Sequence, residues 1–344
     1  SDAGIAPEGS QAELQHLLRR SAYSIVSGVG YFNQDDTRQL DFVISVGGVP
    51  VVTDNSTIST DIRHANAYVY TQYVPDRRVI WTLGVSYDNF QRETTEKNQF
   101  NPKLGLIWNP VPDTTLRFAA FRTLKRALLS DQTVEPTQVA GFAQFFDDLN
   151  ATDAKRYGAA LDQRFGKSLW GGIEVSHRDL TVITDFAAGF EEEMRENLAR
   201  LYLYWAISPR WVFGSEYFLE EFEREYAPFV LDQPKQLTTH RLPLSLSYFS
   251  PAGWYAGLKV TPVVQKGQLP DGFGAAYPAA DWFWLTDVTV GYRLPSRRGL
   301  IMLGVWNLFD QEFKFQDMNF QTSEPRLSTY QPERTIGMRL KLAF

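Results

Sequence analysis

The sequence predicts an all-β chain, a transmembrane antiparallel up-and-down β-barrel of about 15–16 strands. Three observations predict it. First, Thr335 to Phe344 alternate, with Ile336, Met338, Leu340, Leu342 and Phe344 on one face and Thr335, Gly337, Arg339, Lys341 and Ala343 on the other. A side-chain period of two belongs to a strand, and an apolar face backed by a cationic one suits lipid outside and water inside. Second, sharp turns recur at Pro75–Arg77, Pro110–Asp113, Gly166–Ser168, Ser208–Arg210, Ser250–Gly253 and Pro295–Arg298, built from the residues that tight turns need. Third, aromatics bracket these turns: Tyr73 and Trp81, Trp108, Phe165 and Trp170, Trp205 and Trp211, Phe249 and Trp254, and Tyr292. Rings with a polar edge sit at a membrane interface, so this registration is that of an aromatic girdle.

Composition narrows the alternatives. Of 344 residues, 44% are hydrophobic and 14% aromatic, and the mean hydropathy is −0.28. No stretch reaches the ~18 apolar residues of a membrane-spanning helix. Barrel strands escape that test, because their alternation averages out. Cysteine is absent, which removes disulfide frameworks and thiolate metal sites. A net charge of −6 without a basic block argues against nucleic acid as a partner.

In chain order, Gln11–Arg19 and Tyr23–Phe32 are the first two strands. Trp81, Leu83, Val85 and Tyr87 then oppose Thr82, Gly84, Ser86 and Asp88. Leu104, Leu106 and Trp108 oppose Lys103, Gly105 and Asn109. Leu169, Gly171, Ile173 and Val175 oppose Gly172, Glu174, Ser176 and Arg178, and the segments at 156–165, 241–248 and 284–293 follow suit. The strand from Leu300 to Leu308 is less clean, since Met302, Trp306 and Leu308 share its inner face. Longer polar loops are expected near 33–62, 91–99, 125–153, 181–192, 225–235, 268–280 and 309–333, on the side opposite the short turns. An odd strand count and the absence of a signal pattern lead to the expectation of an N-terminally incomplete, single-domain barrel over residues 1–344, preceded by further sequence.

The inward set is mixed in sign. Arg117, Arg156, Arg164, Arg178, Arg200, Arg241, Lys259, Arg293, Arg339 and Lys341 face Asp88, Asp162, Glu174, Glu216, Glu220 and Asp287. One reading is a polar wall along a solute path; the other is a set of neutralised ladders that hold the barrel's shape or touch a plug. The loop from Leu124 to Asp153 carries Phe142, Phe145 and Phe146 beside Asp147 and Asp148. It is either an inward constriction or ligand contact, or a loop packed on its neighbours. The acidic runs at Glu191–Glu193 and Glu220–Glu225 suggest a solvated face, or divalent cations shared with lipopolysaccharide, without the spacing of a calcium loop. His16, His64, His177 and His240 lack ligand spacing. No catalytic motif stands out, so the chain is not expected to be an enzyme and no cofactor is expected.

Several blocks resemble the C-terminal barrel of TonB-dependent receptors. They are His64-Ala-Asn-Ala-Tyr-Val-Tyr-Thr-Gln72 with Trp81–Asp88, Asn101–Trp108 with Thr115–Arg122, Asn307-Leu-Phe-Asp-Gln-Glu-Phe313, and Arg334–Met338. Glu135-Pro136 stands where receptors often carry the reversed pair. The resemblance covers most of residues 63–344. It implies the outer membrane of a Gram-negative bacterium, transport of a chelate or oligosaccharide, and partners among lipid, lipopolysaccharide and TonB. Neither the plug nor the TonB-contacting segment of that family is visible. The block Asp131–Asp148 and the start at Gln11–Arg20 also resemble outer-membrane barrels fused after tetratricopeptide repeats. That group implies a secretion pore or an anchor with a periplasmic repeat domain. A barrel enzyme or adhesin is the remaining alternative.

Overall fold

The computed structural model describes residues 3–4, 8–46, 49–129, 132–144, 148–225, 234–270, 276–295, 298–314 and 333–342. Among them are nineteen strands and no α-helix. The first nine are β1 (Ala3–Gly4), β2 (Glu8–Arg19), β3 (Tyr23–Val46), β4 (Val49–Asp76), β5 (Val79–Arg92), β6 (Thr95–Trp108), β7 (Thr114–Leu124), β8 (Gln138–Val139) and β9 (Phe142–Ala143). Then come β10 (Asp153–Phe165), β11 (Leu169–Asp185), β12 (Phe190–Ala206), β13 (Trp211–Arg224), β14 (Gln236–Arg241) and β15 (Leu244–Phe249). The last are β16 (Trp254–Pro270), β17 (Ala276–Leu294), β18 (Gly299–Trp306) and β19 (Thr335–Leu342). Setting aside the two-residue strands β1, β8 and β9, and taking β14 with β15 as one interrupted strand, leaves fifteen, in accord with the sequence rhythm.

The chain forms two compact units. The first comprises Ser1–Gly105, Ala120–Lys155 and Leu180–Glu192; the second comprises Leu106–Ala119, Arg156–Asp179 and Glu193–Phe344.

In the first unit, β2 to β5 form an antiparallel meander through the turn-proximal pairs Arg19↔Ser24, Tyr23↔Tyr73 and Tyr73↔Trp81. The region 33–62, expected as a loop, is instead paired strand: β3 and β4 stay in register out to Val46↔Val49, with one shift at Ile44/Ser45. Its Thr, Val, Ser and Ile content gives it strand propensity, and polarity does not stop a ladder from satisfying every backbone N–H. The region 268–280 departs in the same way, since β16 runs to Pro270 and β17 starts at Ala276.

Burial in this unit is inverted relative to a soluble sheet. Leu83 is 51% exposed and Tyr87 47%, while Asp88 on the same strand is 3% exposed. The inner face also buries His64, Asn101 and Lys103. Apolar side chains outside and charged ones inside is the arrangement that lipid requires. The inside also carries an apolar cluster, where Phe32, Ile62, Phe90, Leu124, Ala127, Ala151 and Ile183 pack together.

The second unit repeats the pattern. Ile173 and Val175 face out while Ser176 and Arg178 are buried. On the last strand Ile336 and Met338 are 67% and 75% exposed, and Gly337 pairs with Gly304 of β18. This pair explains the blemish at Leu300–Leu308. The Trp306 ring lies over both glycines, leaving no space for a Cβ at either, so an inward aromatic is accommodated by missing side chains. The expected strand at 241–248 is broken at Leu242–Pro243. Proline has no N–H to give to a ladder, and the two halves pair separately with β13 and β16. Ala343 and Phe344 lie outside the described residues.

Candidate functional site

The inner face of the second unit carries a ladder of ion pairs. Arg117 on β7 directs Nε to Asp162 Oδ2 at 2.8 Å and Nη2 to Glu174 Oε2 at 3.1 Å, linking β10 and β11. The Tyr202 hydroxyl on β12 donates to the same Asp162. Deeper in, Arg178 Nη1 lies 2.6 Å from Glu196 Oε2, and Arg156 donates from Nη2 to Ser176 Oγ at 3.0 Å. Arg200 holds Glu216 at 2.8 Å, and the Tyr204 hydroxyl donates to the other oxygen of Glu216 at 2.5 Å. Arg241 Nη2 is 2.6 Å from Glu220 Oε1, and the Phe218 ring sits beside both Arg200 and Arg241. The planar guanidinium fork suits these contacts, because it can bond two acceptors on different strands at once. Arg164 is set apart. It lies at the turn end of β10, half-exposed, and pairs with Asp113.

Farther along the same unit the wall opens into a cavity of ~410 Å³ lined by Ser245, Ser247, Lys259, Asp287, Thr289 and Trp306. Asn307 also lines it. Its N–H donates to Asp287 Oδ1 at 3.1 Å, and its side chain exchanges two hydrogen bonds with the Gln311 backbone. The Asn307–Phe313 motif is thus a self-capped turn, with Asn307 and Asp310 both at positive φ.

The first unit holds the second feature, the segment between β7 and β10. Phe142 is 1% exposed and belongs to the small β8–β9 hairpin, whose turn residues Ala140 and Gly141 both have positive φ, the conformation of a two-residue hairpin turn. Asp148 lies on the return toward β10. Phe145, Phe146 and Asp147 lie outside the described residues. The residues that fasten the segment are others. Glu135 is buried, accepts from the Tyr70 hydroxyl at 2.5 Å and from Asn66 Nδ2 at 3.3 Å, and pairs with Arg126 at 3.0 Å. Arg126 also reaches Glu13 on β2 at 3.2 Å. Glu13 in turn accepts from Thr133 Oγ1 and from the Val134 N–H, each at 2.8 Å. Burial pushes the Glu135 carboxyl above the usual carboxylate range, while the Arg126 guanidinium and Lys103 ammonium pull it back. Sequence reasoning missed this set. The one signal was the Glu135-Pro136 pair, and nothing local tells that Glu13 and Tyr70 face it.

On the same wall Asp88 accepts from Asn101 Nδ2 at 2.7 Å and from Ser86 Oγ at 3.2 Å, and meets His64 Nε2 at 3.0 Å. Serine, histidine and aspartate are therefore adjacent. The serine bonds the carboxylate rather than the imidazole, however, so the nucleophile-to-base link of a hydrolase is missing.

The family model for the TonB-dependent receptor-like β-barrel matches residues 8–182, half of the chain. The chain belongs to the TonB-dependent receptor-like β-barrel family. Membership places it in the Gram-negative outer membrane. Among solved structures, the ferric-catecholate import receptor Fiu of E. coli is similar with a TM-score of 0.64 at 13% identity, over 98% of this chain and 54% of that one. The ferric yersiniabactin uptake receptor FyuA of Yersinia pestis gives 0.62 at 14% identity, over 98% and 54%. The copper transporter OprC gives 0.65 at 14%, over 98% and 56%. The chain therefore spans about half the length of these receptor-family neighbours. No curated protein sequence matches it.

Proposed function

We propose that this TonB-dependent receptor-like barrel takes up a polar solute across the outer membrane, with energy supplied through TonB, and that it acts as a transporter rather than an enzyme. The observation that carries the reading is the ion-paired inner wall: Arg117, Arg178, Arg200 and Arg241 are each paired with a carboxylate within the wall. Such pairing keeps a passage polar while engaging these guanidinium groups within the wall, so that they do not hold a passing ion fast. The hydroxyl-lined cavity with Lys259 and Asp287 offers donors and acceptors to a solute in transit. A metal chelate is the favoured class, because Fiu, FyuA and OprC are named for ferric-catecholate, ferric-yersiniabactin and copper transport.

The test is accumulation of radiolabelled ferric and cupric chelates by cells carrying or lacking the full-length gene, with TonB present or deleted. Saturable uptake that needs both the gene and TonB is expected. Equal accumulation in all four strains would remove the reading.

A further inference from the structure

The inner face of β4–β6 in the first unit is lined by polar side chains that are largely shielded from water: Asn66, Tyr70, Asp88 and Lys103 are all buried. On a barrel wall facing an aqueous lumen they would be wet. Among the described residues, the segment from Arg126 to Gln144 makes contact with this face. Its hairpin seats on β6, where Val139 and Ala140 lie so close to Gly105 that a Cβ there would meet Val139 Cγ1 at 2.8 Å and the Ala140 Cβ at 3.0 Å. Leu129 seats on Gly9 of β2 in the same manner.

Glycine thus marks the points where the wall gives way to the segment. One side of the seated hairpin is closed to water, with Val139 0% and Gln144 2% exposed, while Gln138 and Gly141 are exposed. Its ends are tied as well. Gln144 Nε2 donates to Pro136 O at 2.5 Å and its N–H to Thr137 O at 2.9 Å. The base is anchored in the apolar cluster through Leu124, Ala127 and Ala151.

We propose that residues Thr133–Gln144 form an intramolecular strap that narrows the lumen along this wall, and that Glu135 is the positioning residue that holds it down. The strap rests on the solute-passage reading only in its purpose; its seating is independent of whether uptake occurs. Glu135 is suited to the role because it joins both sides of the seat: Tyr70 and Asn66 on β4, and Arg126 at the start of the segment. Without it, Arg126 retains Glu13 and Thr133, while Tyr70 retains Gln144, so the wall survives but the strap loses its central tie.

Residues 1–344 contain no cysteine, so a thiol placed at Ala140 is the one thiol within this stretch, and the same protein without Ala140→Cys gives the labelling background. Full-length protein carrying Ala140→Cys is reacted with a membrane-impermeant maleimide, with and without Glu135→Ala, and unitary conductance is recorded in planar bilayers. Loss of a buried charged partner predicts a roughly hundredfold faster labelling of Ala140→Cys, together with a larger conductance. Tyr70→Phe, a milder change, predicts about tenfold and covers the case in which Glu135→Ala does not fold. Folding of each variant is read from heat-modifiable gel migration. Unchanged labelling in folded Glu135→Ala or Tyr70→Phe would overturn the pin. Faster labelling with unchanged conductance would overturn the constriction. Absence of gene- and TonB-dependent chelate uptake by the wild type, with both results intact, would instead count against the transport reading alone.

Discussion

Two arginine–carboxylate pairs in the second unit differ in burial and should differ in energetic weight. Arg178 and Glu196 lie 2.6 Å apart with side chains 3% and 11% exposed. Arg164 and Asp113 also touch, but their side chains are 52% and 35% exposed. In water the Coulomb gain of a pair is small and offset by side-chain ordering, so truncating Arg164 to Ala should cost at most about 0.5 kcal/mol. Truncating Arg178 removes the guanidinium 2.6 Å from a largely desolvated Glu196, and breaking one side of such a buried pair costs about 3–5 kcal/mol. A fully hydrophobic replacement of both partners, Arg178→Met with Glu196→Leu, should recover most of the loss, because the cost lies in the buried charge that loses its main partner rather than in the missing bond. The assay is reversible guanidinium unfolding in lipid vesicles, followed by tryptophan fluorescence. If Arg178→Ala and Arg164→Ala shift the midpoint equally, or if the double replacement is as damaging as the single one, the account of the inner wall as a set of buried, mutually satisfied charges is wrong.

Other consequences can be measured on the same system. Because the Glu135 carboxyl is raised in the folded state, its contribution is fully present below the unfolded carboxylate pKa of about 4.3 and is lost as pH rises through the folded value. Wild type should therefore lose stability relative to Glu135→Gln as the buffer is moved from about pH 4 upward; parallel profiles would refute this. Gly299 has φ +155°, and a Cβ there would strike the Lys341 carbonyl oxygen. Gly299→Ala should cost about 1–3 kcal/mol through this strain and loosen β18 from β19, visible as faster amide exchange at Leu300 and Leu340. Leu258, 44% exposed on the outer face, should tolerate Phe. As Arg it should lose about 2–4 kcal/mol near the bilayer midplane, and less toward either interface, measured by vesicle refolding yield against denaturant. Gly141→Val should weaken the strap's hairpin by about 1–2 kcal/mol, since its φ of +87° places a β-branched side chain in the left-handed region; Ala140→Gly should be harmless.

By itself the sequence determined which faces of the strands meet lipid and which meet the interior. The outward Leu83, Ile173 and Met338 and the inward Asp88, Glu174 and Arg178 follow from a side-chain period of two, which is a local property of the backbone. The short turns and their aromatic brackets are local in the same sense. Polarity alone misassigned 33–62 as a loop, because a ladder satisfies polar segments as well as apolar ones. Only the tertiary structure decided which charge meets which. Arg117 bonds Asp162 and Glu174 on two different strands, and Glu135 meets Tyr70 and, through Arg126, Glu13. Those partners are set by register between strands and by the direction a loop takes, and both are fixed by contacts between residues far apart in the chain. The mixed charges were therefore legible as a composition, while their pairing into a ladder in the second unit, and the fastening of the Glu135 segment in the first, were not.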